Sequence, residues 1–260
     1  MSRFGLWKNL QLYGWLAFFL YMILLGRESS YLADLQGDVL LAGTVLLIVV
    51  LLADLTQKST EKARDGGYRL PWRHRLALAV ETSGHWVPLI LALLMGVTTL
   101  NMDAASLRNG IQMRVYDPAR QTGAARYDPS RLGPGEFFTV TLIDLYSNPD
   151  LETDVRVELT GRITHMTGEE VRKRFPERGD GGVFVLYRFA IACCAADATP
   201  LAVVLENLPS ENMPKEGEWL TVQGVTHLLP GEPKIVALRI ETMKTIPQPK
   251  RPYLSWLDAS

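Results

Sequence analysis

Three long apolar stretches lie within the first hundred residues, and they restrict the possible folds more than any other feature. They cover Leu10–Leu25, Val39–Leu55 and His85–Leu100. A membrane-spanning helix needs about 20 predominantly apolar residues, and a soluble core rarely supplies three such runs in succession. We therefore expect three transmembrane helices, at about residues 6–25, 39–55 and 84–100 of a membrane region that occupies residues 1–100.

The basic residues of the short loops predict the orientation of these helices. The N-terminus carries Arg3 and Lys8, and the first loop has only Arg27. The second loop is much more basic, with Lys58, Lys62, Arg64, Arg69, Arg73 and Arg75. This bias predicts a multi-pass cell-membrane protein with a cytoplasmic N-terminus and an extracytoplasmic chain after Leu100. A cleaved signal peptide is the alternative for the first stretch, but "LGRESSYL" offers no small-residue cleavage site.

The second half of the chain has the alternating pattern of β-strands. Five segments of this kind follow residue 150: "DVRVELTGRITHM", "VFVLYRFAIACC", "PLAVVLENL", "WLTVQGVTHLL" and "KIVALRIETMKTI". Strands of this length, with glycines at Gly161 and Gly224, favour a small OB-like barrel over a sandwich. The predicted fold is a membrane-anchored α + β protein. Its three N-terminal transmembrane helices are followed by a linker with a short helix or strand (101–150) and an extracytoplasmic five-stranded OB-like β-barrel (151–260).

Composition and motifs argue against several functional classes. The formal net charge is −1, which gives no support to a nucleic-acid partner. The sequence has no glycine-rich phosphate loop, no nucleophile elbow and no His-Glu-x-x-His motif. We therefore expect neither catalytic residues nor nucleic-acid binding.

The adjacent cysteines, Cys193 and Cys194, are the only two in the chain. If the strand stays regular there, Cys193 lies on the apolar core face and Cys194 on the opposite face with Arg188. A bulge at the strand end would instead turn both thiols to one side. Three interpretations stay open: two packing thiols, a soft-metal site of Cys193, Cys194 and Asp197 for zinc or copper(I), and a redox pair.

The histidines supply weaker candidates. His165 and His227 fall near the ends of two different strands, from which they would have to approach the cysteines to complete a Cys₂His₂ zinc set. Glu81 and His85 are four residues apart at the inner end of the third predicted span, where they would share a helix face. Their position at the end of the span favours an interfacial setting over a functional one.

The segment "RFAIACCAADATPLAVVLE" resembles the signature of the YcgQ-like family of bacterial membrane proteins, which are described as permease subunits. The matching positions are Arg188, Phe189, Cys193, Cys194, Ala196, Asp197 and Ala198. "VRVELTGRI", "EWLTVQGV" and "IPQPKRPYL" also resemble segments of that family. The His-rich tract that many relatives carry in the cytoplasmic loop is missing, since only His74 stands there.

The resemblance implies a subunit that works beside a separate multi-span permease of the YcgR-like type and is linked to metal homeostasis, zinc especially. On this reading the Cys193/Cys194/Asp197 turn would bind or pass on the ligand, and Arg188 would support the turn. Two other classes remain as alternatives: an envelope thiol redox protein, and a scaffold without catalytic function whose cysteines only pack.

Overall fold

The computed structural model describes residues 3–61, 86, 87, 90, 100, 112, 113, 127, 129–176, 181–209, 213–230 and 234–255. The chain divides into two compact units, Met1–Thr98 and Thr99–Ser260. Each is described by itself.

The N-terminal unit contains two long helices, α1 (Arg3–Leu24) and α2 (Asp34–Glu61), joined through a short 3₁₀ turn at Glu28–Ser30. Within the described residues, one segment is long and apolar enough to cross a membrane, the Asp34–Asp54 part of α2. Only 11% of its most apolar window is buried, so its apolar side chains face outward rather than into a core. This exposure suits a helix that lies in lipid.

The first predicted span is a helix with a shorter apolar part, and the third is described at only a few residues. A shorter apolar helix occupies Gln11–Leu24, which is the length of a signal-sequence core as well as of a short anchor. Trp86, Val87 and Ile90 of the third stretch are helical, and the remainder of that stretch up to Leu100 lies outside the described residues. The described residues thus contain one N-terminal helix whose length and composition fit a membrane anchor or a signal sequence, and the number of spans stays a prediction.

The C-terminal unit is built around one mixed sheet with a few short helices. Its short strands are β1 (Gln112–Met113), β2 (Phe138–Thr139) and β8 (Leu254–Ser255). Its long strands are β3 (Arg156–Met166), β4 (Val183–Ile191), β5 (Thr199–Glu206), β6 (Trp219–Leu229) and β7 (Ile235–Thr245). The long strands fall on the five segments whose alternation predicts them.

The long strands pair in a circuit. β3 pairs antiparallel with β4, and β4 with β5. β5 then pairs parallel with β7, β7 antiparallel with β6, and β6 antiparallel with β3 again. Each long strand thus has two hydrogen-bonded neighbours among the other four, and β1, β2 and β8 add to β5, β3 and β4.

Two glycines permit close backbone approaches within this circuit. A Cβ atom on Gly161 would lie 2.9 Å from the Tyr187 carbonyl oxygen, and one on Gly224 would lie 2.3 Å from that of Arg239. The β6–β7 register shifts between Gln223 and Gly224, as expected for a bulge that bends a strand. Glycine is therefore required at Gly224 for space.

Strand β4 is buried on both faces. Leu186 and Ala190 belong to the main hydrophobic cluster, together with Leu159 of β3 and Val203 of β5. The opposite face of β4, which the sequence pattern predicts as the core face, is also buried but is not part of that cluster: Val183, Val185, Tyr187, Phe189 and Ile191. The predicted core face is therefore buried, but side-chain bulk alone does not show which face of β4 joins the main cluster.

Short helices complete the unit. Helix α3 (Leu142–Ser147) begins with a capping box between Thr141 and Asp144. Behind it, the Tyr146 hydroxyl donates to the Ala202 carbonyl of β5 at 2.9 Å. The predicted linker thus contributes a helix that packs on the sheet. Helix α4 (Glu169–Arg174) lies in the charged segment after β3 and buries Val171.

Candidate functional site

The candidate site is the connection between β4 and β5. The β4–β5 pairing ends at Ala190 and Thr199, and β4 itself ends at Ile191. The intervening chain bends at Ala192 and Cys193 and then forms a 3₁₀ turn over Ala195–Asp197. We call Ala192–Ala198 the thiol turn.

The carboxylate of Asp197 holds the thiol turn together. Its Oδ1 accepts the backbone N–H of Ala192 at 2.9 Å, and its Oδ2 accepts those of Cys193 at 2.8 Å and Cys194 at 3.2 Å. Aspartate is suited to this role because its short side chain reaches nearby backbone donors. The turn is therefore held by the hydrogen bonds of its own backbone to Asp197.

Both thiols lie on the same side of the turn. Cys193 is exposed and Cys194 is half-buried, and their Sγ atoms are 3.6 Å apart. The regular-strand alternative, which predicts Cys193 in the core, is wrong because β4 ends two residues before it. The thiols are brought together by the turn rather than by a bulge in a continuing strand.

The two sulfurs and a carboxylate oxygen of Asp197 lie within 4.8 Å of one another. Two sulfurs bound to a tetrahedral zinc ion at about 2.3 Å stand about 3.8 Å apart, which is close to the observed 3.6 Å. Asp197 adds a carboxylate oxygen to the same cluster. The geometry thus fits a soft divalent ion with little rearrangement.

Comparison with known families covers this part of the chain. Residues 135–255 match the family described as the DUF1980 C-terminal domain. The segment is similar to that family, and we refer to residues 135–255 as the DUF1980 domain. No curated protein matches the chain. The DUF1980 domain contains all five long strands and the thiol turn, and since its description names no activity, a function has to be argued from the site itself.

Charge in the thiol turn of the DUF1980 domain is concentrated on Asp197. The hydrogen bond that the Cys193 thiol makes with Asp197, followed by its contact with Cys194, raises the pKa of Cys193 to about 12. Desolvation raises the pKa of Asp197, but hydrogen bonds from the Cys193 thiol and from three backbone N–H groups outweigh it and lower that pKa to about 2. At neutral pH the turn therefore holds a carboxylate beside a protonated Cys193.

Arg188, expected from the resemblance to support the turn, donates its hydrogen bonds to the C-terminal segment. Its Nε donates to the Pro252 carbonyl at 3.1 Å, and its Nη2 donates to the Arg251 carbonyl. Its guanidinium lies over the Trp219 ring at 5.6 Å, and burial lowers its pKa to about 10. Arg188 therefore fixes the C-terminal segment of the DUF1980 domain rather than the thiol turn.

The histidines of the DUF1980 domain lie away from the thiols. His165 pairs with Phe184 near the start of β4, stacks on that ring and contacts the Gly181 carbonyl at 2.8 Å. His227 contacts Glu206, at the far end of β5, at 2.6 Å. A strand of eight residues spans roughly 23 Å, so the structure does not assemble the Cys₂His₂ set. Glu81, His85 and His74 lie outside the described residues.

The C-terminal strand β8, which lies beside the site, was not predicted from the sequence. β8 pairs with the last two residues of β4, Ala190 with Leu254 and Ile191 with Ser255. Next to β8, the Tyr253 hydroxyl accepts the backbone N–H of Leu100 at 3.0 Å. The only available signal was the Pro-rich composition before Tyr253, which suggests a rigid segment but not its partner.

Proposed function

We propose that this chain is a membrane-anchored accessory subunit of a multi-span permease, and that its DUF1980 domain binds a zinc ion at Cys193, Cys194 and Asp197. The observation that carries the proposal is the pair of thiols 3.6 Å apart in a turn that Asp197 pre-forms. Thiolate pairs select zinc or copper(I) over harder ions, and a pre-formed turn lowers the ordering cost of binding.

The proposed architecture is a set of three spans followed by an extracytoplasmic OB-like barrel. The circuit β3–β4–β5–β7–β6–β3 supports the barrel, since it leaves the five long strands without an open edge among themselves. The exposed apolar surface of Asp34–Asp54 supports an anchor in lipid. The basic loop after α2 supports the cytoplasmic N-terminus. The permease partner, of the YcgR-like type, is proposed from the resemblance to the YcgQ-like family.

The main rival function is thiol redox exchange. Reactive redox cysteines have depressed pKa values because the thiolate is the nucleophile. The carboxylate of Asp197 acts in the opposite direction and raises the pKa of Cys193 to about 12. Metal binding is favoured over redox exchange, since the ion itself replaces the thiol proton.

Zinc titration of the full chain tests the binding site. The protein would be purified in detergent under reducing, anaerobic conditions and titrated against a chromophoric chelator. We expect one zinc ion per chain, with binding lost in the Cys193→Ser/Cys194→Ser variant and retained in the matched control His227→Gln. If the double variant binds zinc as tightly as the unaltered protein, the assignment is wrong.

A cellular assay tests the accessory role. Zinc accumulation would be measured in cells that carry the permease with this chain, with its Cys193→Ser/Cys194→Ser variant, or alone. We expect the double variant to behave like the strain without the chain while still co-purifying with the permease. Normal zinc accumulation in the variant would instead support the scaffold role.

A further inference from the structure

The three donor atoms of the thiol turn are all presented from one side. They come from a single segment, Ala192–Ala198, so none of them can close over an ion from the opposite direction. Cys193 and Asp197 are exposed and Cys194 is half-buried. An ion bound there would therefore face solvent on its remaining side.

The coordination count is incomplete. Structural zinc sites are closed by four protein ligands, whereas sites that exchange a ligand keep one position open. The described part of the chain offers three donors in this cluster, and His165 and His227 lie at the other ends of β4 and β5. The described residues supply no fourth donor to this cluster.

Charge decides which ligand suits the open position. Two thiolates, one carboxylate and a zinc ion carry a formal charge of about −1. The ionisable groups that act on the Cys193 thiol, Asp197 and Cys194, are both acidic, and the guanidinium of Arg188 is engaged by the carbonyls of Arg251 and Pro252. A further thiolate would add negative charge that these groups do not offset. A neutral imidazole adds none and is a preferred zinc ligand.

We propose that the ion at Cys193, Cys194 and Asp197 takes its fourth ligand from a histidine imidazole of an acceptor protein, so that the thiol turn is a site of metal handover. This inference rests on the proposed function. In the handover the incoming imidazole nitrogen bonds to the ion as a neutral ligand. The Asp197 oxygen is the first protein ligand to leave, because its hydrogen bonds to three backbone N–H groups already stabilise the free carboxylate. No oxidation or reduction occurs.

Cobalt substitution tests the handover. Co²⁺ in a tetrahedral thiolate site gives visible ligand-field bands that respond to every ligand change. The full chain in detergent would be loaded anaerobically with Co²⁺ and titrated with imidazole, and in parallel with 2-mercaptoethanol. We expect imidazole to shift the bands in a saturable one-to-one manner, and the thiol to produce no shift at the same concentration.

The outcomes separate the two proposals. If Co²⁺ and Zn²⁺ do not bind, or the Cys193→Ser/Cys194→Ser variant binds both equally well, the proposed function fails. If the metal binds but imidazole leaves the bands unchanged, or the thiol shifts them more strongly, only the handover inference fails. A His74→Ala/His85→Ala variant controls for an imidazole from this chain. If the Co²⁺ bands of that variant differ from those of the unaltered protein before imidazole is added, a histidine of this chain already binds the ion, and the inference is overturned as well.

Discussion

The backbone N–H of Cys193 donates to Asp197 Oδ2 at 2.8 Å, so the residue that we propose as an oxygen ligand also fixes the chain that carries the thiols. The Asp197 side chain thus holds the turn and is also a proposed metal ligand. Substitution of Asp197 is expected to affect stability and metal affinity together.

Asp197→Asn should reduce stability in a pH-dependent way. The folded-state pKa of Asp197 is about 2, below its ordinary value of 3.8. The carboxylate therefore contributes stability above about pH 4, and this contribution is lost as the pH falls from about 4 to 2. At neutral pH we expect a loss of about 1 kcal/mol, as for a lost helix cap. Urea unfolding at pH 7 and pH 2.5 measures it.

The difference in unfolding free energy between Asp197→Asn and the unaltered protein should be smaller at low pH. At pH 2.5 much of the Asp197 contribution is already gone, so Asp197→Asn and the unaltered protein should converge. Glu241→Gln, which removes a surface partner of Arg156, is the control for loss of a carboxylate. An equal stability loss at both pH values would contradict the linkage.

Cys193 should be slow to alkylate at neutral pH. Its pKa is raised to about 12, first by the hydrogen bond with Asp197, and alkylation requires the thiolate. In a Cys194→Ser background, where the remaining thiol is Cys193, the iodoacetamide rate should still be rising above pH 9. Adding Asp197→Asn should shift the midpoint of the pH–rate profile downward. Equal midpoints in the two proteins would show that Asp197 does not act on the thiol.

Zinc affinity should increase steeply with pH. Both ligating thiols must lose their protons on binding, and the raised pKa of Cys193 means that a proton is released to solvent throughout the neutral range. Isothermal titration at pH 6.5 and pH 8 in buffers of different ionisation enthalpy counts the released protons. We expect at least one per ion, from Cys193. Release of none would place the ion elsewhere.

Arg188→Lys should destabilise the DUF1980 domain more than Tyr253→Phe. A lysine ammonium cannot reach both carbonyls in the fork geometry that Arg188 uses, and we expect a loss of about 2 kcal/mol. Tyr253→Phe removes one neutral hydrogen bond with Leu100 and should cost about 1 kcal/mol. Thermal unfolding in detergent ranks them. If Tyr253→Phe costs more than Arg188→Lys, the hydrogen bond between Tyr253 and Leu100 stabilises the domain more than the contacts of the Arg188 guanidinium do.

Gly224→Ala tests the β6–β7 bulge. Its Cβ would approach the Arg239 carbonyl oxygen to 2.3 Å, so the backbone must shift, and we expect a loss of about 2 kcal/mol. Gly181→Ala is the matched control, because a Cβ there meets nothing within 4 Å. Its effect should stay within about 0.5 kcal/mol. A similar loss of stability in the two variants would show that a clash between the Cβ atom and the Arg239 carbonyl is not the cause.

Local patterns were sufficient to predict the long strands. Alternation in β3 and β6 depends on residues two apart, and the glycines at Gly161 and Gly224 mark places where only a missing Cβ allows close approach. The face of β4 that joins the main cluster was not predictable, because Tyr187 and Phe189 are as apolar as a core demands and are buried in a different layer. Periodicity reports burial, but not which layer buries a residue.

The candidate site was only partly predictable for a related reason. The turn at Asp197 follows from local chemistry, since its hydrogen-bond donors lie three to five residues away. Arg188 was assigned to the wrong neighbour because its acceptors are backbone carbonyls. Every residue has a carbonyl, so nothing in the sequence distinguishes those of Arg251 and Pro252.

The contacts of Arg188 also have a consequence for the order of synthesis. Its two carbonyl acceptors lie 63 and 64 residues further along the chain. At roughly 5–20 residues per second, a ribosome makes them about 3–13 s after Arg188. Until they are made, the guanidinium lacks both carbonyl acceptors and, among the described residues, has only the Trp219 ring as a protein partner, so β4 lacks part of its final packing. Folding of the domain is therefore completed only after Arg251 and Pro252 are made, and chains released before Arg251 would expose a charged, unfinished strand to proteolysis.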